Sequence, residues 1–475
     1  MSTLLWFVIL YWVISISVGL YASRMVSNSK DFAVAGRALP MYIVTATVFA
    51  TWFGSETVLG ISATFVQEGL RGVVSDPFGS SMCLVLVGLF FARPLYRMNL
   101  LTIGDYFRNK YGRVVETLVT LCIVASYLGW VAAQIKALGL VFNVVSGGYL
   151  SMELGMIIGA LSVLTYTLKG GMWSVAVTDF LQMIIIVLGM LYIGWEVSTL
   201  AGGAGKVISH AAAAGKLEFW PAPDARDMLW FIAALITMML GSIPQQDVFQ
   251  RVASSKNENI AGRAAILGGV LYLGFAFIPM FLAYSATLID PKMVDELMEK
   301  DPQLILPTLI MTKMPLFAQI MFFGALLSAI KSSASATLLA PSVIFTENVL
   351  KPLMPNQTDK QFLLMMRTVV LIFTAIVTTF AMNTEASIFH MVENAYKVTL
   401  VAAFVPLAYG LYWKQATRQG ALAAILLGLF SWISMEVFAP EGFWPPQLVG
   451  VLASLAGMIV GSLVPQQLKP VPVPG

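Results

Sequence analysis

Twelve or so uninterrupted apolar stretches of about 20 residues follow one another along this 475-residue chain, each long enough to cross a hydrocarbon core of roughly 30 Å as a helix. A backbone inside a bilayer finds no water to bond, so a chain with this pattern must fold as a bundle of membrane helices. Charged residues make up 11% of the chain and hydrophobic ones 58%, against roughly 25% and 45–50% in an ordinary soluble domain. The spans fall at roughly 3–22, 41–64, 73–95, 115–143, 150–168, 174–197, 228–251, 262–289, 315–343, 362–383, 386–412, 419–437 and 445–464. This all-α reading predicts thirteen helices, with the two chain ends on opposite sides of the membrane. The start MSTLLWFVILYWVISISVGLY has no basic residue before its apolar run and no small-residue cleavage site, so it reads as a retained first helix and not a signal peptide.

The basic residues divide unevenly between the loops. Of 28 Lys and Arg, 18 lie on the side of loops 23–40, 93–114, 251–263, 344–367 and 413–418 together with Lys169 and the tail, and 7 on the other side. The richer side is predicted to be cytoplasmic, which puts the N-terminus outside, the C-terminus inside and the protein in a plasma membrane, the inner one in a Gram-negative cell. With the charge spread by topology, nothing points to nucleic acid, and no obligate protein partner is evident. Cys83 and Cys122 sit in apolar segments as packing residues. His210 and His390 are far apart without ligand-like neighbours, which argues against zinc. No phosphate loop and no nucleophile with its base is present, so the chain does not read as an enzyme.

With the first helix and its following segment (1–40) set aside, the spans form blocks of five at 41–197 and 228–412, followed by two trailing helices at 413–464 and a loose Pro-rich tail at 465–475. Each block opens on an interrupted helix. The first contains ATWFGSETVLG, with Gly54 beside Ser55, Glu56 and Thr57; the other contains MLGSIPQQDVFQR, with Gly241, Pro244, two glutamines and Asp247. Broken helices in corresponding positions of two halves mark an inverted-repeat transporter whose site lies at the bilayer midplane.

Charges within spans are functional candidates; here they are Glu56, Asp76, Lys136, Asp179, Asp247 and Lys331. The stretch SAIKSSASATLLAP is the densest in polar groups. Ala329, Ser332 and Ser333 share one helix face, where two hydroxyls and a carbonyl suit a sodium ion, and carbonyls freed by the break near Ala50 and Phe53 can complete the shell. Lys331 is about 200° round the helix from Ala329 and too deep to reach either interface, so a carboxylate is expected as its partner, Asp179 or Asp76.

Five segments in order, KDFAVAGRALP, LTIGDYFRNKYG, YTLKGGMWSVAVTDFLQ, GSIPQQDVFQRVASSK and GALLSAIKSSASATLL, resemble the sodium/solute symporters over nearly the whole chain. The resemblance implies a LeuT-like fold of two inverted five-helix repeats with an extra leading helix, Na+ as coupling ion, and a sodium site of the Ala50, Phe53 and Ala329 carbonyls with the Ser332 and Ser333 hydroxyls. Some members bind a further sodium through an aspartate matching Asp179. Ser335 retains one hydroxyl of that second cation region, Ala336 replaces another, and Lys331 stands where an apolar residue is usual. The expectation is that the Lys331 ammonium pairs with Asp179 there and leaves one sodium per cycle.

ATWFG, GLFFARP and SIPQQDVFQRV are similar to the choline-transporting branch, whose quaternary ammonium needs an aromatic cage. Trp52 and Trp130 match two cage positions, but Ser80 and Gln245 stand at the others. Half the cage is missing, which points away from choline and toward another small polar solute, an amine or amino acid, lined by Trp52, Glu56, Asp76, Trp130, Gln245 and Gln246. A proton-coupled or sodium-independent carrier, with Lys331 replacing a cation, is the alternative; a membrane sensor is less favoured because no signalling domain follows residue 464.

Overall fold

The computed structural model describes residues 3–468, and of the expected loose tail, residues 469–475 lie outside the described residues. The chain is helical throughout, and its β pairing among the described residues is one parallel bridge between Leu39 and Ser255. Among the described residues, ten helices are long and apolar enough to cross a membrane, or eleven with the bent pair Ala225–Gly241 and Gln246–Ser254 taken as one span. The expected count of thirteen is therefore not reached on length and composition, for an identifiable reason. Met152–Leu200 runs for 49 residues, about 74 Å of helix or more than twice the hydrocarbon thickness, and it folds back at Gly171 (φ 46, ψ −136). A side chain there would be strained by the backbone and would press on the Phe32 carbonyl. The 42-residue run Glu56–Arg97 is likewise interrupted, at Gly69 (φ 73) and Asp76 (φ −141, ψ 121).

Large apolar side chains such as Phe430, Phe438 and Leu463 face outward, as a surface solvated by lipid requires. The serine-rich helix Leu316–Phe345 is the opposite case: from Ala325 to Ile344 its residues are all buried, so it is enclosed on every side. It packs against Met152–Leu200 and Arg113–Val145, and the leading helix Thr3–Ala22 lies against both it and Met152–Leu200. The segment after residue 289 forms a short helix, Pro291–Lys300, capped by the Asp290 side chain on the Met293 amide.

Both expected breaks are present. Met41–Trp52 stops at Phe53 (φ −87, ψ 72) and helical structure resumes at Glu56. The second break bends by 44° between Gly241 and Gln246. Arg251 joins the two broken helices, its Nη2 donating to Thr51 Oγ1 at 2.8 Å. Thr399 closes the second break by donating to the Gly241 carbonyl at 2.7 Å.

Candidate functional site

The break at Phe53–Ser55 lies directly against the serine-rich helix. Ser333 donates to the Thr51 carbonyl at 2.7 Å, and Ser332 donates to Asp179 Oδ1 at 2.6 Å. Thr47 Oγ1 donates to the other oxygen of the same carboxylate. Ala50, Phe53, Ala329, Ser332 and Ser333 are all fully buried, and the two serine hydroxyls tie the serine-rich helix to Asp179 and to the end of the helix before the break. Backbone carbonyls, hydroxyls and one carboxylate form a donor set of hard oxygens, which favours a hard cation over a transition metal. Among the described residues no cluster of three or more His, Cys, Asp and Glu is placed to hold a metal ion.

On the other side of the same break lies an aromatic box. Trp52 stacks on Tyr396 with centroids 6.0 Å apart, Trp130 is 5.4 Å from Tyr396, and Trp52 is 5.8 Å from Trp130 and 6.4 Å from Tyr272. Glu56 accepts from Trp130 Nε1 at 3.1 Å and Gln134 Nε2 at 2.6 Å. Asp76, within electrostatic reach of Glu56, accepts from Tyr272 at 2.6 Å and from Ser80. Every one of these partners is neutral. The Tyr396 hydroxyl is buried and has no hydrogen-bond partner among the described residues.

Gly54 joins the two halves. A Cβ built on it would overlap both Ser333 Oγ and Glu56 Oε2, so the chain has room here for glycine alone. Above this level a cleft of about 400 Å³ reaches Gly60, one turn along from Glu56, and is lined also by Glu68, Lys136, Phe389 and His390. Phe389 packs on Gly60.

A model of the sodium:solute symporter family matches residues 32–428. The chain belongs to this family. Na+ is accordingly the coupling ion, and the protein is a multi-pass membrane symporter of a small molecule. Among curated relatives, the symporter is 28% identical to the human high affinity choline transporter 1, covering 89% of this chain and 75% of that one. It is 24% identical to a sodium/proline symporter of Staphylococcus aureus, over 96% and 90% of the two chains. A substrate-bound, outward-open Na+-coupled sialic acid symporter superposes with a TM-score of 0.84 at 18% identity, over 99% of both chains. MhsT in complex with L-phenylalanine gives 0.55 at 15% identity, over 89% of this chain and 97% of that one. Both place the symporter in the LeuT-like fold.

Four sequence expectations about side chains turn out differently in the symporter. Lys331 pairs with neither Asp179 nor Asp76; its Nζ donates to Ser15 Oγ on the leading helix at 2.9 Å. The second cation region therefore divides: Asp179 joins the Ser332 side, and Ser335 donates to the Ser332 carbonyl at 3.0 Å. Gln246 does not enter the aromatic box, because its Oε1 accepts from the Ile103 amide at 2.9 Å, at the start of helix Ile103–Tyr111. Gln245 lies nearby but is engaged by Ser126 and Thr399. The gap left by Ser80 and Gln245 in the cage is closed from elsewhere, by Tyr396 and Tyr272.

Sequence reasoning missed Tyr396, Tyr272, Gln134 and Thr47. The first could have been suspected from ENAYKVT, a polar run inside an otherwise apolar span. Of the remaining charged positions, Asp247 adjoins the box, held by Tyr127, which stacks on Trp130 at 6.0 Å, whereas Lys136 sits apart and holds the Thr384 and Ala386 carbonyls beside the cleft.

Proposed function

We propose that the symporter imports a small organic cation, an amine or a cationic amino-acid derivative, together with Na+. The observation that carries this reading is the pair Glu56 and Asp76: two fully buried carboxylates inside an aromatic box with only neutral hydrogen-bond partners. A buried carboxylate without a counter-charge is costly by several kcal/mol, and a cation with an apolar body relieves that cost while resting on the ring faces. The box has Trp52, Trp130, Tyr396 and Tyr272 as walls. The choline and proline solutes named for the relatives both carry a positively charged nitrogen, in keeping with this class. Because Glu56 and Asp76 offer acceptors, an ammonium with N–H groups is favoured over a quaternary one.

On this reading Na+ binds where the carbonyls of Ala50, Phe53 and Ala329 and the hydroxyls of Ser332 and Ser333 converge, with Asp179 supplying the negative charge beside them. The repeats at 41–197 and 228–412 carry the two broken helices, and the 18 to 7 excess of basic residues supports a plasma-membrane orientation with the C-terminus cytoplasmic. Asp179→Asn is expected to raise the Na+ concentration for half-maximal uptake at least about tenfold, roughly 1.4 kcal/mol, because the charge beside the ion is lost. Uptake measured against external Na+ checks this.

The substrate class is tested by the melting temperature of purified protein against a panel of amines, amino acids, sugars and carboxylates, with Na+ or with K+. A solute binding only the folded protein raises its stability in proportion to RT ln(1 + [L]/Kd). Stabilisation by cationic members, larger in Na+, is the expected result. Stabilisation confined to anions or neutral sugars overturns the assignment.

A further inference from the structure

Lys331 is fully buried in the middle of the serine-rich helix, and its ammonium is enclosed by the leading helix. Ser15 accepts from Nζ at 2.9 Å, and three ring faces surround it, with Trp12 at 5.5 Å, Tyr166 at 5.7 Å and Tyr11 at 6.0 Å from Nζ to the centroid. Among the described residues no carboxylate lies within ion-pair distance of it. The cage itself is firmly built. Trp12 stacks on Phe142 at 4.2 Å, Tyr11 bonds Ser328 at 2.6 Å, and Gly19 is packed so closely on Tyr166 that a side chain there would overlap the ring. Gln182, one turn along from Asp179, adjoins the Tyr11 and Tyr166 hydroxyls yet completes no hydrogen bond of good geometry.

The leading helix lies outside the residues matched by the family model, which begin at 32, and none of the proposed site residues belongs to it. Its inner face nevertheless determines where the Lys331 amine sits, on the side of the serine-rich helix turned to Ser15 and the three rings, next in sequence to Ser332 and Ser333. Aromatic quadrupoles and one hydroxyl stabilise an ammonium without neutralising it, whereas a carboxylate would cancel its field. The charge therefore remains available to act on its surroundings, and in a low-dielectric interior such a field reaches across a helix diameter.

From this geometry we infer that Lys331 is a positioning residue for ion coupling: a tethered, unneutralised cation, held by the leading helix, that weakens Na+ binding at the Ser332 and Ser333 site. It opposes the attraction of Asp179, which already has Arg251 within electrostatic range. The consequence is an ion that binds loosely enough to leave on the low-Na+ side of the membrane. The inference rests on the Na+ site proposed above but not on the solute, so it can be tested with Na+ alone.

The experiment is equilibrium binding of radioactive Na+ to the purified full chain in lipid nanodiscs, without organic solute, for the unaltered protein, Lys331→Met, Lys331→Gln and Lys331→Arg. The neutral variants are expected to bind Na+ about tenfold more tightly, roughly 1.4 kcal/mol, while Lys331→Arg stays near the unaltered affinity. Lys331→Gln keeps the comparison available if methionine upsets the fold, and a melting curve on each variant verifies folding. Equal affinity in all four proteins, or equal tightening in the arginine variant, overturns the inference, because packing and not charge would then be responsible. Loss of Na+ binding in Asp179→Asn together with unchanged affinity in the Lys331 variants would uphold the site and reject the lysine's role.

Discussion

Glu56→Gln is expected to raise the KM for a cationic solute at least about thirtyfold, roughly 2 kcal/mol, while Na+ binding in the absence of solute changes little. The reason is the arrangement of partners. Glu56 holds Trp130 Nε1 and Gln134 Nε2, both neutral donors, so its charge is left for the solute, and a hydrogen bond to a charged group contributes about 1.5–3 kcal/mol. The glutamine keeps the size of the side chain, and its carbonyl oxygen can still accept from Trp130. What disappears is the charge, and with it the preference for a cation. Uptake of the best ligand from the melting panel, measured with and without a neutral analogue as competitor, reads this directly. An unchanged KM would show that Glu56 is a structural acceptor and that the cation is held elsewhere.

Gly54→Ala is expected to abolish Na+-driven uptake although the protein still inserts and purifies. The new methyl group would overlap Ser333 Oγ on one side and Glu56 Oε2 on the other. Neither neighbour can withdraw freely: Ser333 is bonded to the Thr51 carbonyl at 2.7 Å, and Glu56 is fastened by two donors. Overpacking a close-packed interior commonly costs 1–3 kcal/mol, and here the displacement falls on both proposed sites at once. Na+ binding and solute-dependent melting should therefore fail together, whereas Asp179→Asn and Glu56→Gln each impair mainly one. If the alanine variant loses only one of the two activities, the break does not couple the sites in the way Gly54 suggests.

Much of the symporter was legible along the chain. The apolar stretches announced a membrane bundle, and the glycine and proline interruptions at Gly54, Gly241 and Pro244 located both broken helices. The i, i+3, i+4 spacing of Ala329, Ser332 and Ser333 placed three groups on one face, and the structure sets that face against the first break. Trp52, Glu56, Asp76 and Trp130 also proved to be neighbours. These are features of local period and local composition, and they survive folding because a membrane helix satisfies its own backbone bonds and so keeps its register regardless of its partners.

What the chain did not disclose was which helix faces which. Tyr396 completes the aromatic box from a span more than three hundred residues after Trp52, and Tyr272 does so from another. Gln246 turns away to the Ile103 amide because it opens the helix Gln246–Ser254, while Gln245 before it is extended backbone at the break. The turns between successive spans, by contrast, were legible: the long runs fold back at Gly171 and Gly69, in the gaps expected between 150–168 and 174–197 and between 41–64 and 73–95.

Lys331 shows the division most plainly. Its depth in an apolar helix, and hence its need for a partner, was written in the sequence. Its partner was not, because a buried ammonium can be met by a carboxylate or by ring faces and a hydroxyl, and the choice depends on a packing contact some 316 residues apart. Hydropathy and helical period are properties of each segment alone, so the sequence determined the bundle, its breaks and the polar face of each helix. The docking of the leading helix, the closure of the aromatic box and the surroundings of Lys331 depend on packing between segments, and only the tertiary structure decided them.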